Sequence, residues 1–150
     1  MAKCRSRLFH IFLAVSTCTD ARAASAIFYT PRDVNQKLGL IHNAARFVLK
    51  GDTESLEKWF ALRKRVIDAS QVRNALAHFH LEYDTKLDDN WKAESAKPVL
   101  NPNYQDVTVE FKKRKSAVQN LDAKAIARHI GDFNTLSADL GEFARDIRHT

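Results

Sequence analysis

The chain has 150 residues, a length at which a single domain can bury a core without disulfide bonds. Apolar residues make up 45% and charged residues 28%, which excludes a disordered chain and a membrane-spanning one. With only 4 glycines and 3 prolines, the sequence lacks the turn residues of an all-β fold, so helix is favoured. The net charge of +6 is a mild indication of a polyanionic partner.

The spacing of glycine and cysteine limits the cofactors that the chain can hold. The four glycines lie ten or more residues apart, so they cannot form a phosphate-binding loop or a dinucleotide fingerprint. Cys4 and Cys18 are the only cysteines, which excludes a Cys-rich structural zinc site. We therefore expect no cofactor and no metal ion, and a location in the reducing cytoplasm.

Two interpretations of the N-terminal segment are open. A basic start is followed by the apolar run Leu8–Val15, and Ala21–Ala23 resembles a small-residue cleavage site, as in a secretory signal peptide. The run contains His10, however, and a stripe from Leu8 to Tyr29 advances in steps of three and four residues. This spacing favours one continuous first helix of a cytoplasmic protein.

A second helix is predicted from Thr30 to about Gly51. Thr30 is the expected N-cap, Pro31 suits the first helical position, and Asp33 completes a capping box. Gly51 is the expected C-cap. The residues on its apolar face would be Leu38, Ile41, Ala45 and Val48.

Two further helices are predicted, one on each side of an interruption. The third helix is capped by Asp52 or Thr53 and runs to about residue 83. Its apolar stripe comprises Leu56, Trp59 or Phe60, Val66, Ala69, Val72, Leu76, Phe79 and Tyr83. The final helix starts near Leu121. Its apolar stripe comprises Ile126, Ile130, Phe133, Leu136, Leu140, Phe143 and Ile147.

Residues 84–120 interrupt the helical pattern. Turn-forming residues are concentrated there, and Val107–Lys112 alternates between apolar and polar side chains, as a strand does. A hairpin is predicted in which Pro98–Asn101 pairs with Asp106–Lys112. The predicted fold is all-α: a single-domain four-helix bundle over residues 1–150 with a polar, partly β-hairpin insertion before the last helix.

The segment from Arg73 to His78 is the strongest candidate for chemistry. Arginine can neutralise a phosphate with two hydrogen bonds, and histidine moves protons near neutral pH. Asn74 follows the arginine directly, and the combination of these three residue types is rare by chance in a chain of this composition. A structural role for Asn74 and His78 is the alternative.

The motif Arg73-Asn74-x-x-x-His78, near the end of a long third helix, resembles the Arg-x4–6-His motif of HEPN domains. The resemblance extends to Ala26–Tyr29, to the helix with Lys37-Leu38, and to the last helix. It implies an all-α dimer whose two motif helices meet at a cleft. Many members are metal-independent endoribonucleases of toxin–antitoxin or phage-defence systems, and others are inactive nucleic-acid-associated modules. Toxins paired with nucleotidyltransferases often carry His-x-Tyr, whereas this chain has His80 at the tyrosine position.

The resemblance leaves two functions open. In an endoribonuclease, the RNA 2′-hydroxyl attacks the adjacent phosphate, His78 serves as general base or acid, and Arg73 stabilises the phosphorane, while Asn74 orients the substrate or the histidine. In a catalytically inactive binding or sensing module, the same residues join two chains by hydrogen bonds. An antitoxin protein is a possible partner of either.

The face of the third helix opposite its core stripe predicts a homodimer. Ile67 and Leu81 lie on this face beside Asn74 and His78, at about 180° and 140° from Leu76. Such a face is too apolar for water, and a two-fold axis would cover it with its own copy. The alternative is a monomer in which the last helix or the insertion covers it.

The two basic runs are candidates for RNA contact or for ordinary solvated surface. One is Arg63–Arg65 and the other comprises Lys112, Lys113, Arg114 and Lys115. Runs of this kind are more often solvated surface than nucleic-acid contacts.

Overall fold

The structure is a computed structural model that describes residues 2–87, 93–102 and 122–148. Helix predominates in these residues, as predicted. The elements in chain order are α1 (Ala2–Val15), α2 (Ala21–Tyr29), α3 (Val34–Val48), α4 (Thr53–His78), β1 (Phe79–Leu87), β2 (Ala93–Pro102) and α5 (Ala123–Asp146).

The chain divides into two compact units, and the division falls within α4 and α5. The first unit comprises Met1–Ser70 and Asp132–Thr150, and the second comprises Gln71–Gly131. The hydrophobic core found in the described residues belongs to the first unit. Its largest fully buried side chains are Trp59, Phe28, Ile11, Leu38, Ile41, Leu140 and Val15.

The N-terminal segment forms two helices instead of the predicted single one. α1 ends at Val15, and Thr17 adopts a left-handed backbone conformation with φ of 50°. Asp20 then caps α2, because its side chain accepts hydrogen bonds from the backbone N–H groups of Arg22 and Ala23. The polar residues between the two apolar stretches break the helix, since Asp and Thr compete for backbone hydrogen bonds. The apolar residues of α1 are part of the core, with Ile11 completely buried.

The N-cap of α3 lies three residues after the predicted cap. Asp33, not Thr30, is the N-cap, and its carboxylate accepts from the backbone N–H of Asn35 at 3.1 Å. Thr30 instead donates its hydroxyl to Ala26 O and closes α2. The predicted apolar face is confirmed for its first three residues, whereas Val48 is exposed. α3 ends at Val48, before Gly51.

α4 begins as predicted and ends earlier. Asp52 caps it by accepting the backbone N–H of Ser55 at 3.0 Å, and Trp59, not Phe60, occupies the core stripe. The helix ends at His78, so the prediction that it reaches residue 83 is wrong. The reason is an ambiguous pattern. From Phe79 to Asp84 apolar and polar residues also alternate with period two, which equally fits a strand.

β1 and β2 form an antiparallel hairpin. His80 lies opposite Asn101, and Tyr83 lies opposite Pro98, with an irregularity between Lys86 and Leu87. The interruption of the bundle therefore begins at Phe79, not at residue 84. The predicted strand Pro98–Asn101 exists, but its observed partner is His80–Tyr83. The predicted partner, residues 106–112, lies outside the described residues.

α5 supplies the last face of the core. Asp122 accepts the backbone N–H of Ala125 at 2.7 Å and starts the helix. The C-terminal part of the predicted stripe is buried: Leu136, Leu140, Phe143 and Ile147. Ile130, in the N-terminal part, is 55% exposed. The stripe therefore serves the core only over its second half.

Candidate functional site

The motif residues lie at the C-terminal end of α4. Arg73 and Asn74 are both exposed, and the Nη1 of Arg73 donates a hydrogen bond to Oδ1 of Asn74 at 3.2 Å. His78 is the last residue of the helix. The side chain of His78 lies outside what the structure describes.

Within the described residues, the hydrogen bond between Arg73 and Asn74 engages one donor of these two side chains. A guanidinium has five N–H donors and uses one here, while the Asn74 amide keeps its NH₂ group. Two neighbouring donor groups on an exposed surface can bind the non-bridging oxygens of a phosphate. His78 follows Asn74 by four residues, which is about one helical turn and the same helix face.

The residues predicted for a dimer interface do not share a helix face. Ile67 is half-buried and packs against the core of the first unit. Leu81 lies in β1, so the prediction that places it on the same helix is wrong. The apolar back face that predicted a dimer is therefore reduced to the part occupied by Ile67.

Three further questions concern RNA contact, metal binding and membrane insertion. The predicted RNA-binding residues Lys112, Lys113, Arg114 and Lys115 lie outside them. No group of three or more His, Cys, Asp or Glu residues in the described part of the chain could hold a metal ion. In that same part, no helix is long and apolar enough to cross a membrane.

A cluster that sequence reasoning missed lies between α3 and α4 in the first unit. We call His42, Arg46, Phe60 and Arg63 the His42 cluster. The rings of His42 and Phe60 have centroids 5.4 Å apart. Burial, and then the positive charges of Arg63 and Arg46, lower the pKa of His42 below its ordinary value of 6.5, so this imidazole is neutral at pH 7.

The sequence contained only half of the signal for this cluster. His42 and Arg46 are four residues apart, and Phe60 and Arg63 are three apart, so each pair shares a helix face. Only the packing of α3 against α4 brings the two pairs together. The two arginines of the Arg63–Arg65 run therefore have different surroundings. Arg63 lies in the His42 cluster, whereas Arg65 forms an ion pair with Asp139 at 2.6 Å.

Lys37 was also missed, and its role is structural. Only 3% of this residue is exposed, and its ammonium group donates to the backbone carbonyls of Phe28, at 3.1 Å, and Pro31. It lies over the Phe28 ring, 5.4 Å from the centroid. Burial, and then the charge of Arg5, lower its pKa, while Asp33 acts in the opposite direction. Lys37 thus ties the end of α2 to α3.

Comparison with known proteins adds no relative. The chain matches no protein-family model, and searches of curated proteins and of solved structures find no match either. The resemblance to HEPN domains therefore depends on the motif and on the helical character of the chain alone.

Proposed function

We propose that this protein is a HEPN-like RNA-acting domain and that it cleaves RNA without a metal ion, as the toxin or effector of a toxin–antitoxin or defence system in the cytoplasm. The observation that carries the proposal is the exposed, hydrogen-bonded pair of Arg73 and Asn74, one helical turn before His78. A purely structural arginine–asparagine pair would be expected to be buried, because burial is what makes such a hydrogen bond worth keeping.

The proposed reaction is a transesterification within the RNA strand. A base removes the proton of the 2′-hydroxyl, whose oxygen attacks the adjacent phosphorus. The bond to the 5′-oxygen breaks, and that oxygen takes a proton from an acid. The products are a 2′,3′-cyclic phosphate and a free 5′-hydroxyl. His78 moves one of these protons, Arg73 stabilises the charge on the phosphorane, and Asn74 fixes the guanidinium or the substrate.

A shared site between two copies of the chain completes this chemistry. The reaction needs one base and one acid, and each chain has a single motif histidine. A homodimer with both motifs in one cleft supplies two. The proposed dimer rests on this chemical requirement, since Ile67 packs against the core of its own chain and Leu81 does not share its helix face.

The alternative is a catalytically inactive HEPN-like module that binds or senses a partner. The same exposed pair would then join two chains or bind an RNA phosphate without cleavage. An antitoxin protein fits either function as a further partner. For Lys112, Lys113, Arg114 and Lys115 the proposed role is RNA contact, and neutralising all four should flatten the salt dependence of RNA binding.

Cleavage of mixed RNA in the presence of EDTA tests the proposal. We expect wild-type protein to cleave despite the chelator and to leave 2′,3′-cyclic phosphate ends. His78→Ala and Arg73→Ala should reduce the rate by about 100-fold or more. His80→Ala, which changes the next histidine along the chain, is the matched control and should retain activity. Absence of cleavage by wild-type protein under all conditions would leave the inactive module.

Mixing wild-type protein with an inactive variant tests the shared site. If the site needs the motif histidine of both chains, an excess of His78→Ala protein should lower the activity of the wild-type protein, because a heterodimer has a single motif histidine. Sedimentation at tens of micromolar should show a dimer. A wild-type monomer that still cleaves RNA would contradict the dimer and leave the proposed reaction in place.

A further inference from the structure

In the described part of the first unit, two basic groups have a carboxylate ion-pair partner, and the arginines of the His42 cluster are not among them. Lys58 pairs with Glu54, and Arg65 pairs with Asp139. Within the described residues, no carboxylate forms an ion pair with Arg46 or Arg63. Two guanidinium groups therefore act on the same imidazole without compensation, which creates a local positive potential.

The cluster also contains polar atoms whose hydrogen-bonding capacity is unused. Nδ1 of His42 and Nε of Arg63 are buried and have no hydrogen-bond partner among the described residues. An unpaired buried polar atom is unfavourable, and each one in a native protein calls for an explanation. A bound anion would balance the positive charge of the two guanidinium groups, although the buried atoms themselves lie behind the surface that it would contact.

An aromatic ring lies on the same face of α4 as Arg63, three residues before it. Phe60 is 44% exposed, and it contacts the His42 ring on one side. An exposed aromatic ring next to guanidinium groups is what a single-stranded nucleic acid requires, because an unstacked base can lie on the ring while the cations bind the phosphate. A base inside a duplex is already stacked and could not use the ring in this way.

We propose that the His42 cluster is a contact site for single-stranded RNA, with a base stacked on Phe60 and the adjacent phosphate on Arg63 and Arg46. His42 packs against the ring of Phe60. The site belongs to the first unit, and it is a binding site that does not itself perform chemistry. It extends the proposed function by naming where the RNA strand binds away from the motif, and it depends on that function only for the ligand class.

Binding of a labelled single-stranded 2′-O-methyl RNA 12-mer tests this site, because this oligonucleotide cannot undergo 2′-hydroxyl attack. We expect Phe60→Ala and Arg63→Gln each to weaken binding by about 10-fold. Arg63→Gln should also reduce the slope of log K against log salt by about 0.7, the value for one phosphate contact on a single strand. Phe60→Trp should retain binding.

Two control variants match the test variants. One changes an exposed aromatic residue of α3, and the other changes an exposed arginine elsewhere in the first unit. Phe47 is 85% exposed on α3 but lies about 140° from His42 around the helix axis, so Phe47→Ala should not change binding. Arg22→Gln removes one exposed charge from α2 and should have little effect. Thermal unfolding of each variant establishes that it folds. Arg63→Lys keeps the positive charge, so its RNA affinity should fall less than that of Arg63→Gln.

The outcomes separate this inference from the proposed cleavage. Binding lost in Phe60→Ala and Arg63→Gln but retained in His78→Ala establishes the site, whether or not the protein cleaves RNA. Unchanged binding in Phe60→Ala overturns it, even if Arg63→Gln binds polyphosphate less well, because the site would then be a general anion contact. It is also overturned if Phe60→Ala loses affinity for anionic lipid vesicles while RNA binding is unaffected.

Discussion

The two halves of α4 have the same backbone structure and opposite uses. In the first half, up to Ser70, Trp59, Leu62 and Val66 are buried in the core. In the second half, from Gln71 to His78, no described side chain is buried, and Arg73 and Asn74 are exposed. The first half stabilises the core of the first unit, and the second half, which belongs to the second unit, carries exposed polar groups.

This difference explains why the motif can tolerate polar residues that a core helix could not. A guanidinium placed at the position of Trp59 would need a buried partner, whereas Arg73 is exposed to solvent and forms a hydrogen bond with Asn74. A binding group gains precision from a rigid helix when the rigidity comes from packing elsewhere. The following variants test that division, in order of decreasing effect on stability.

Truncation of the core half should have the largest effect. We expect Trp59→Ala to lower the free energy of unfolding by about 3–5 kcal/mol, because it removes a completely buried ring that stacks on Phe143. Leu76→Ala removes a half-buried side chain from the second half of the helix and should lower the free energy of unfolding by about 1 kcal/mol. Urea denaturation measures both, and equal costs would contradict the division of α4.

Removal of the buried lysine should have an intermediate, pH-dependent effect. Lys37→Met leaves the carbonyls of Phe28 and Pro31 without their donor, at a cost of about 1–3 kcal/mol at pH 7. Because folding lowers the pKa of Lys37, the unfolded chain keeps this proton to higher pH. The stability of wild type relative to Lys37→Met should therefore increase as pH rises from the lowered pKa toward 10.5. Urea denaturation at pH 7 and 9.5 measures the change, and a constant difference would argue against a buried ammonium.

Glycine replacement within helices should have a smaller effect of opposite sign. A Cβ at Gly39 in α3 meets nothing within 4 Å, so Gly39→Ala should stabilise the protein by about 0.5–1 kcal/mol. A Cβ at Gly141 would lie 3.1 Å from Nε of Arg7, so that side chain must move and the gain should be smaller. Thermal unfolding compares the two, and a larger gain at Gly141 would mean that the approach of Arg7 is not maintained.

The motif half should show the smallest effect on stability. Arg73→Ala should change the free energy of unfolding by no more than about 0.5 kcal/mol, because the side chain is exposed and its one described hydrogen bond is to a neighbour. The same variant is the one expected to lose RNA cleavage. A loss of stability comparable to that of Trp59→Ala would instead indicate a structural role for the pair.

Local patterns predicted the helices well where one periodicity dominated. The buried apolar residues of α3 and of the second half of α5 follow from the three-and-four spacing, and Asp52 is one of the two cap residues that the sequence predicted for α4. The boundary after His78 was missed because Phe79 and Tyr83 fit both a helix and a strand. The cap of α3 was missed because Thr30 and Asp33 are both good capping residues, and only the position of α2 decides between them.

The sequence by itself determined the helical class, the composition of the core and the residue types of the motif, because these depend on hydrophobic spacing and on chemistry within one turn. The tertiary structure decided which polar residues meet across helices. The charge environment of His42 depends on Arg63 of α4, which is 21 positions away in the sequence. Lys37 is buried against the end of α2, where its ammonium group donates to the carbonyl of Phe28. Contacts of this kind arise from packing between elements, which no local periodicity encodes.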